Sequence, residues 1–236
     1  MDFKILVINP GAGSTKIAVF HNESMSFEQT IRHPAEELLQ FSRIIDQYGY
    51  RKEKILETLE QHKVLLTDLQ AVVGRGGPFK PLKSGTYDVN DALVHDIESG
   101  NYQSEHPSLL GALIAREIAD TVGIKAYFVD PVSVDEFWDH ARYSGLKEIP
   151  RKALSHALNI RMVAKKAAHT FKRPIEQCKF IVVHLGTGIS VAALRDGSQV
   201  DASNANEDGA FSPQRTGALP TIPLAALCYS GEYSLA

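Results

Sequence analysis

Cysteine is scarce. The 236 residues contain two, Cys178 and Cys228, far apart and outside any CxxC pattern. That excludes a disulfide framework and a cysteine-type zinc site. The nine histidines include no HxxxH pair, so no structural metal is expected. Neither sign of charge is in excess: 25 basic and 28 acidic residues leave a net charge of −3. That balance gives no electrostatic reason to expect nucleic acid or an anionic membrane as a partner. No apolar run approaches the roughly 20 residues of a membrane helix. The opening MDFKILVINP, with Asp2 and Asn9, is unlike a secretory signal. Low-complexity sequence is missing as well. What remains is the expectation of a cytoplasmic α/β protein. A hydrophobic content of 44% suffices for one large or two small cores.

The chain opens with three short runs, Lys4–Ile8, Lys16–Phe20 and Ser26–Ile31, which predict a β-meander. Leu38, Phe41, Ile45 and Tyr48 recur at helical spacing and predict a helix. Ile55 and Leu59 predict another, with Glu53, Lys54 and Glu57 on its wet side. A short strand, Ala71–Val73, runs into a Gly74–Pro78 loop. Pro107 opens a strong helix with the stripe Leu110, Leu113, Ile114, Ile118 and Val122, closed by Gly123. Ala126–Val129 reads as a strand stopped by Asp130–Pro131. Residues 153–170 predict a helix with Leu154, Leu158 and Met162 on one stripe, His156 facing away from it. Phe180–Val183 and Ile189–Leu194 are strands around His184–Gly188. A Gly/Ser/Asn-rich stretch fills 197–218, and a helix begins after Pro220.

One internal repeat is visible. KILVINPGAGSTKIAV (4–19) lies over KFIVVHLGTGISVAAL (179–194), with Lys4/Lys179, Val7/Val182, Gly11/Gly186, Gly13/Gly188 and Ala18/Ala193 coincident. Each segment reads strand, polar residue, Gly-x-Gly turn, strand. Two unrelated hairpins would match as well. A duplicated domain would make them two facing phosphate-binding hairpins.

Gly11-x-Gly13 is not a dinucleotide fingerprint, which needs a helix after the turn and a third glycine. Here Lys16–Phe20 reads as strand, and the GxxxxGK[ST] pattern is absent. The turn instead offers small residues, backbone N–H groups, the Ser14 and Thr15 hydroxyls and the Lys16 cation. Small residues let amides approach a phosphate closely, and lysine supplies charge. Asn9, Ser14, Thr15 and Lys16 together favour that reading over a plain turn.

At this point the residues resemble a known family. Asn9-Pro10-Gly11-Ala12-Gly13-Ser14-Thr15-Lys16 resembles the first phosphate loop of the acetate/butyrate kinase family, of the actin-like ATPase superfamily. His184-Leu185-Gly186-Thr187-Gly188-Ile189-Ser190 resembles its second. Val73–Gly77, Gly85–Asn90, Glu105–Pro107, Phe128–Pro131, Ser155–Asn159 and Phe211–Arg215 look like butyrate kinase in particular, and the likeness spans essentially the whole chain. Ala12 and Gly13 depart from the usual hydroxyl residues, and Thr187 stands where a third glycine is usual. The resemblance implies an α/β fold of duplicated actin-like ATPase (ribonuclease H-like) domains. The first would be 1–132 and the second, incomplete, 133–236. Family members continue further, with an adenosine pocket in their last segment. The chain therefore resembles roughly the N-terminal two-thirds of such an enzyme, with poor activity expected of it alone.

The implied reaction is ATP-dependent phosphorylation of a short-chain carboxylate to an acyl phosphate, with Mg²⁺ and ATP/ADP. A carboxylate is already ionised at neutral pH, so no general base is needed. Catalysis rests on cations and alignment. The resemblance places Asn9, Gly11, Gly13, Ser14, Thr15, Lys16, His184, Gly186, Thr187 and Gly188 against phosphate. Arg75 would hold a carboxylate or the moving phosphoryl group. His156 would donate to its equatorial oxygens, and Arg215 would bind phosphate. Asp130 would hold Mg²⁺ through water or orient Arg75, and Asn9 would orient a metal-bound water. His106 is a weaker substrate-side candidate. Val72, Phe79 and Leu82 could line an acyl pocket, although core packing explains them as well. The whole enzyme would be a homo-oligomer. Two alternatives stand beside this reading. One is a superfamily kinase acting on a hydroxyl, with Asp130 as base. The other is a nucleotide-binding remnant without catalysis.

Overall fold

The three opening runs form β1 (Lys4–Pro10), β2 (Ser14–His21) and β3 (Ser24–Arg32), an antiparallel meander. Alternation puts Leu6, Ile8, Ile17 and Val19 on the covered face, all essentially inaccessible. β4 (Ala71–Arg75) and β6 (Lys125–Val129) extend the sheet parallel to β1. β5 (Thr86–Asp88) closes the edge antiparallel, giving the order β3-β2-β1-β4-β6-β5. The computed structural model describes residues 2–204 and 207–234. Its contacts divide the chain into two units, Met1–Val134 and Asp135–Ala236.

Among its described residues the first unit holds the α-helices α1 (Ala35–Leu38), α2 (Tyr48–Gln61), α3 (Asp91–Glu98) and α4 (Leu109–Thr121). The helix expected from Leu38, Phe41, Ile45 and Tyr48 is interrupted. α1 ends at Leu38, Leu39 is exposed, and a 3₁₀ turn at Ile44–Gln47 precedes α2. Local polar bonds win over the stripe: Asp46 accepts from the Arg43 backbone and guanidinium, and Glu105 accepts from the Ile44 N–H. The Ile55/Leu59 stripe is real, and Arg51 lies on it, one turn earlier.

α4 packs on β1, β4 and β6, and its expected stripe is buried at Leu110, Leu113, Ile114 and Ile118. Two glycines set the closeness of that packing. A Cβ on Gly74 would lie 2.1 Å from the Gly111 carbonyl oxygen, and one on Gly111 would lie 2.5 Å from that of Arg75. Strand and helix backbones therefore touch where β4 ends, which brings Arg75 into the strand rather than the expected loop. Val72 and Phe79 sit in this core, with Phe79 edge-on to Phe128 at 5.2 Å. Among the described residues no helix is long and apolar enough to cross a membrane.

The second unit holds β7 (Lys179–Leu185), β8 (Ile189–Arg195) and β9 (Ser198–Ala202), in that order and antiparallel. It also holds α5 (Ala157–Thr170) and α6 (Thr221–Cys228). β9 lies inside the stretch expected to be irregular. α5 starts later than expected, and its buried face is Ala157, Ile160, Ala164 and Ala168; Leu158 and Met162 are exposed. Small residues on that face let the helix approach β7 closely, so the large ones are turned outward. His156 consequently caps the helix rather than sitting within it.

Both repeat segments are β-hairpins, but their registers differ by one. Pro10 pairs with Thr15 in the first and Leu185 with Ile189 in the second. A one-residue shift exchanges faces. Leu6 and Ile8 are buried, whereas their repeat partners Ile181 and Val183 are 70% and 51% exposed.

Candidate functional site

In the first unit, strand register gathers the expected residues. Asn9 stands opposite Lys16, Lys16 opposite Thr30, and Ser14 opposite Arg32. These side chains share one sheet face. Arg75, one position past the Ile8–Gly74 pair of the parallel ladder, reaches the same end. Its Nη1 donates to Asn9 Oδ1 at 3.2 Å. Desolvation lowers the Arg75 pKa from its ordinary value, though a guanidinium stays charged at neutral pH. Lys16 lies 3.6 Å from Glu28, a solvent-exposed pair of little energetic weight.

Thr15 corrects the expectation for its hydroxyl. The residue is wholly buried. Its Oγ1 accepts from Arg51 Nη1 at 3.2 Å and lies 2.8 Å from His33 Nε2. The side chain supports the turn from below. His33 also contacts the Tyr50 hydroxyl through Nδ1 at 3.3 Å. Burial first, then the Arg51 charge, lowers the His33 pKa to about 4, so the ring is neutral at pH 7.

Sequence reasoning missed Arg51. It is fully buried on α2. Its Nη1 donates to the carbonyls of Gly11 (2.9 Å) and Ser14 (3.3 Å), and its Nη2 to that of Ala12 (2.9 Å). Gln47 Oε1 accepts from Nε and Nη2. Burial lowers its pKa. The signal was present: an arginine at helical spacing from Ile55 and Leu59, on an apolar stripe.

Asp130 does not orient Arg75, whose side chain bonds Asn9 instead. Asp130 is 3% exposed, and its Oδ1 accepts the Gly85 N–H at 2.8 Å. A φ of +37° at this non-glycine residue takes it out of strand alternation. Asn9 and Asp130 do not sit in a cluster of direct metal ligands. One oxygen of each already serves a protein donor, and the described residues contain no group of three His, Cys, Asp or Glu able to hold a metal. His106 lies just before α4, where its Nδ1 accepts the Ser108 N–H at 3.1 Å.

In the second unit, His156 and His184 stack face to face, with centroids 3.8 Å apart and planes 10° apart. His156 Nδ1 lies 3.0 Å from the buried Ser190 hydroxyl. His184 Nδ1 donates to Asn159 Oδ1 at 3.0 Å. Gly186 and Thr187 are exposed and Gly188 is buried in the turn above. The Ser212 hydroxyl donates to the Thr187 carbonyl at 2.5 Å, and Ser212 and Arg215 form a backbone bridge. Arg215 is thus tied to the second glycine turn.

The fold is that of solved carboxylate-kinase structures. The crystal structure of Porphyromonas gingivalis acetate kinase matches with a TM-score of 0.73 at 17% identity, covering 99% of this chain and 65% of that one. A propionate kinase from Francisella tularensis matches with a TM-score of 0.69 at 18% identity, covering 99% and 66%. The acetokinase family matches residues 146–206. Butyrate kinase 2 of Clostridium acetobutylicum is 47% identical over 235 residues, 99% of this chain and 66% of that protein. By these matches the chain is similar to the acetokinase family. It spans 66% of the length of the curated butyrate kinases it matches.

Proposed function

We propose that the protein is a short-chain carboxylate kinase, with butyrate the model acid. A carboxylate oxygen attacks the γ-phosphorus of ATP. The bond from that phosphorus to the β,γ-bridging oxygen breaks, its electron pair leaves on ADP, and an acyl phosphate forms, reversibly. No proton moves in this step. The barrier is the approach of an anion to a polyanion, so the protein's task is cationic alignment.

One observation carries the reading: the Asn9–Arg75 hydrogen bond, which joins the first glycine hairpin to an arginine fork on the same sheet end. Arg75 neutralises and aligns the carboxylate or the moving phosphoryl group. Lys16 adds charge beside the turn. His156, oriented through Ser190, donates to phosphoryl oxygens, with His184 and Arg215 on phosphate. Mg²⁺ would come chelated to the nucleotide and would supply neutralisation of phosphate charge. Asn9 is the residue to contact its water shell. A cytoplasmic setting and a homo-oligomeric whole protein fit this role.

A hydroxyl acceptor would need Asp130 as base, and that carboxylate is buried and bonded to Gly85. The test is acyl-hydroxamate formation from ATP and butyrate by the full gene product, with glucose as the hydroxyl control. Acyl phosphate formation is expected, with Arg75→Ala lowering turnover at least about tenfold. Phosphorylation of glucose alone, or an Arg75→Ala enzyme of normal turnover, would overturn the proposal.

A further inference from the structure

One arginine of the second unit ties together the segments around Arg215. Arg151 follows the 3₁₀ turn Asp139–Arg142 and precedes α5. Its guanidinium spends four of its five N–H groups on four acceptors. Nη1 donates to the Ala141 carbonyl at 2.7 Å and to Asp201 Oδ1 at 3.0 Å. Nη2 donates to the Ala202 carbonyl at 2.8 Å, and Nε to Asp208 Oδ2 at 3.0 Å. Its Cζ lies over the Phe137 ring, 5.8 Å from the centroid. Three of the acceptors belong to the 3₁₀ turn and the end of β9. The fourth, Asp208, stands where the segment leading to Arg215 begins.

That segment closes on itself. The Ala218 N–H donates to the Gly209 carbonyl at 2.9 Å and forms a neck. Gly217, at φ +66°, packs tightly there: a Cβ on it would lie 2.5 Å from the Phe211 nitrogen and 2.7 Å from the Gly209 carbonyl oxygen. A Cβ on Gly209 would lie 2.8 Å from the Asn204 carbonyl oxygen, and the Asn204 N–H donates to Asp208 Oδ1. The neck therefore cannot shift without carrying Asp208 along. At the far end Ser212 is tied to the Thr187 carbonyl and pairs with Arg215. Arg215 thus lies between a neck that Arg151 holds and a tip that the second glycine turn holds.

Both Arg151 ion pairs are partly exposed, and such pairs add little to folding stability. What they fix is geometry. A guanidinium bonded at several points keeps one orientation, and a displacement of about 1 Å at a reacting group can cost about a hundredfold in rate. We propose that Arg151 is a positioning residue for Arg215, acting through Asp208 on the neck of the 209–218 loop. The proposal rests on the reading of Arg215 as a phosphate-binding group.

The test is steady-state kinetics of acyl phosphate formation by the full gene product, with a double-mutant cycle. Arg151→Ala removes all four bonds at once and confounds position with folding, so Asp208→Asn is the working variant. Asp201→Asn, which cuts the other ion pair of the same guanidinium away from the loop, is the control. Asp208→Asn should lower kcat about tenfold, with the KM for butyrate and the melting temperature near wild type. Asp201→Asn should leave kcat within about twofold. In an Arg215→Ala background Asp208→Asn should cost nothing further, because its effect runs through Arg215. Wild-type kcat in Asp208→Asn, equal losses in the two aspartate variants, or full additivity with Arg215→Ala would overturn the positioning role and leave the kinase reading intact. If Arg215→Ala itself turns over normally, there is nothing to position and the proposal falls alone. If wild type forms no acyl phosphate, both fall.

Discussion

His33 makes stability depend on pH in a stated direction. It is buried, its pKa is lowered from 6.5 to about 4, and it sits against Arg51 through Thr15. Protonation of the ring would bury a charge and set it beside the Arg51 guanidinium, which is why the native imidazole resists it. Between pH 4 and 6.5 the unfolded chain binds the proton that the native ring refuses. Stability therefore rises with pH across that window, is fully present above pH 6.5, and is lost as pH falls. The full difference is on the order of 3 kcal/mol, and about 2 kcal/mol of it should already be gone at pH 5. Urea unfolding of wild type and His33→Gln at pH 7.5 and at pH 5 isolates this group from the carboxylates. The variant starts less stable, and its deficit should shrink by about 2 kcal/mol at the lower pH. Parallel loss in the two proteins would refute the reasoning. So would an imidazole titration of His33 near 6.5 by NMR.

Other outcomes follow from packing and capping. Gly111→Ala gains about 1 kcal/mol of helix propensity. It nevertheless drives a methyl into the Arg75 backbone, 2.5 Å away, and should destabilise the protein by about 3 kcal/mol in urea unfolding; a neutral result would contradict the contact. Asn90 caps α3 by accepting the Leu93 N–H at 2.9 Å, and Asn90→Ala should cost about 1 kcal/mol, read from the same curves. Ser190→Ala removes the partner of His156 Nδ1, and in the full gene product it should lower turnover more than it raises KM; unchanged turnover would separate His156 from the reaction.

Period and punctuation carried much of the fold. The opening meander, the α4 stripe and its Gly123 stop, and the two glycine hairpins were legible because each is a local pattern. The failures were also local patterns. Leu38–Tyr48 has helical spacing, yet Asp46 and Glu105 take its backbone donors. Leu154, Leu158 and Met162 form the larger stripe, yet α5 buries its alanines because close approach to β7 favours small side chains. Spacing reports which residues share a side, and neighbouring elements decide which side is covered.

At the candidate site, the residue types of both hairpins, Arg75, His156 and Arg215 were readable from motifs. Their pairings were not. The Asn9–Arg75 bond spans 66 positions and exists because β1 and β4 lie side by side in parallel. Thr15 was readable as a turn hydroxyl, and only burial turned it into a prop for Arg51 and His33. Asp130 was readable as a strand-end acid, and only its left-handed backbone and the Gly85 amide took it away from Arg75. The chain's own order determined which chemical groups were available and where its glycines let the backbone turn. Tertiary structure decided which of those groups were consumed in holding the turn and which were left facing outward, because a polar atom enclosed without a partner costs free energy.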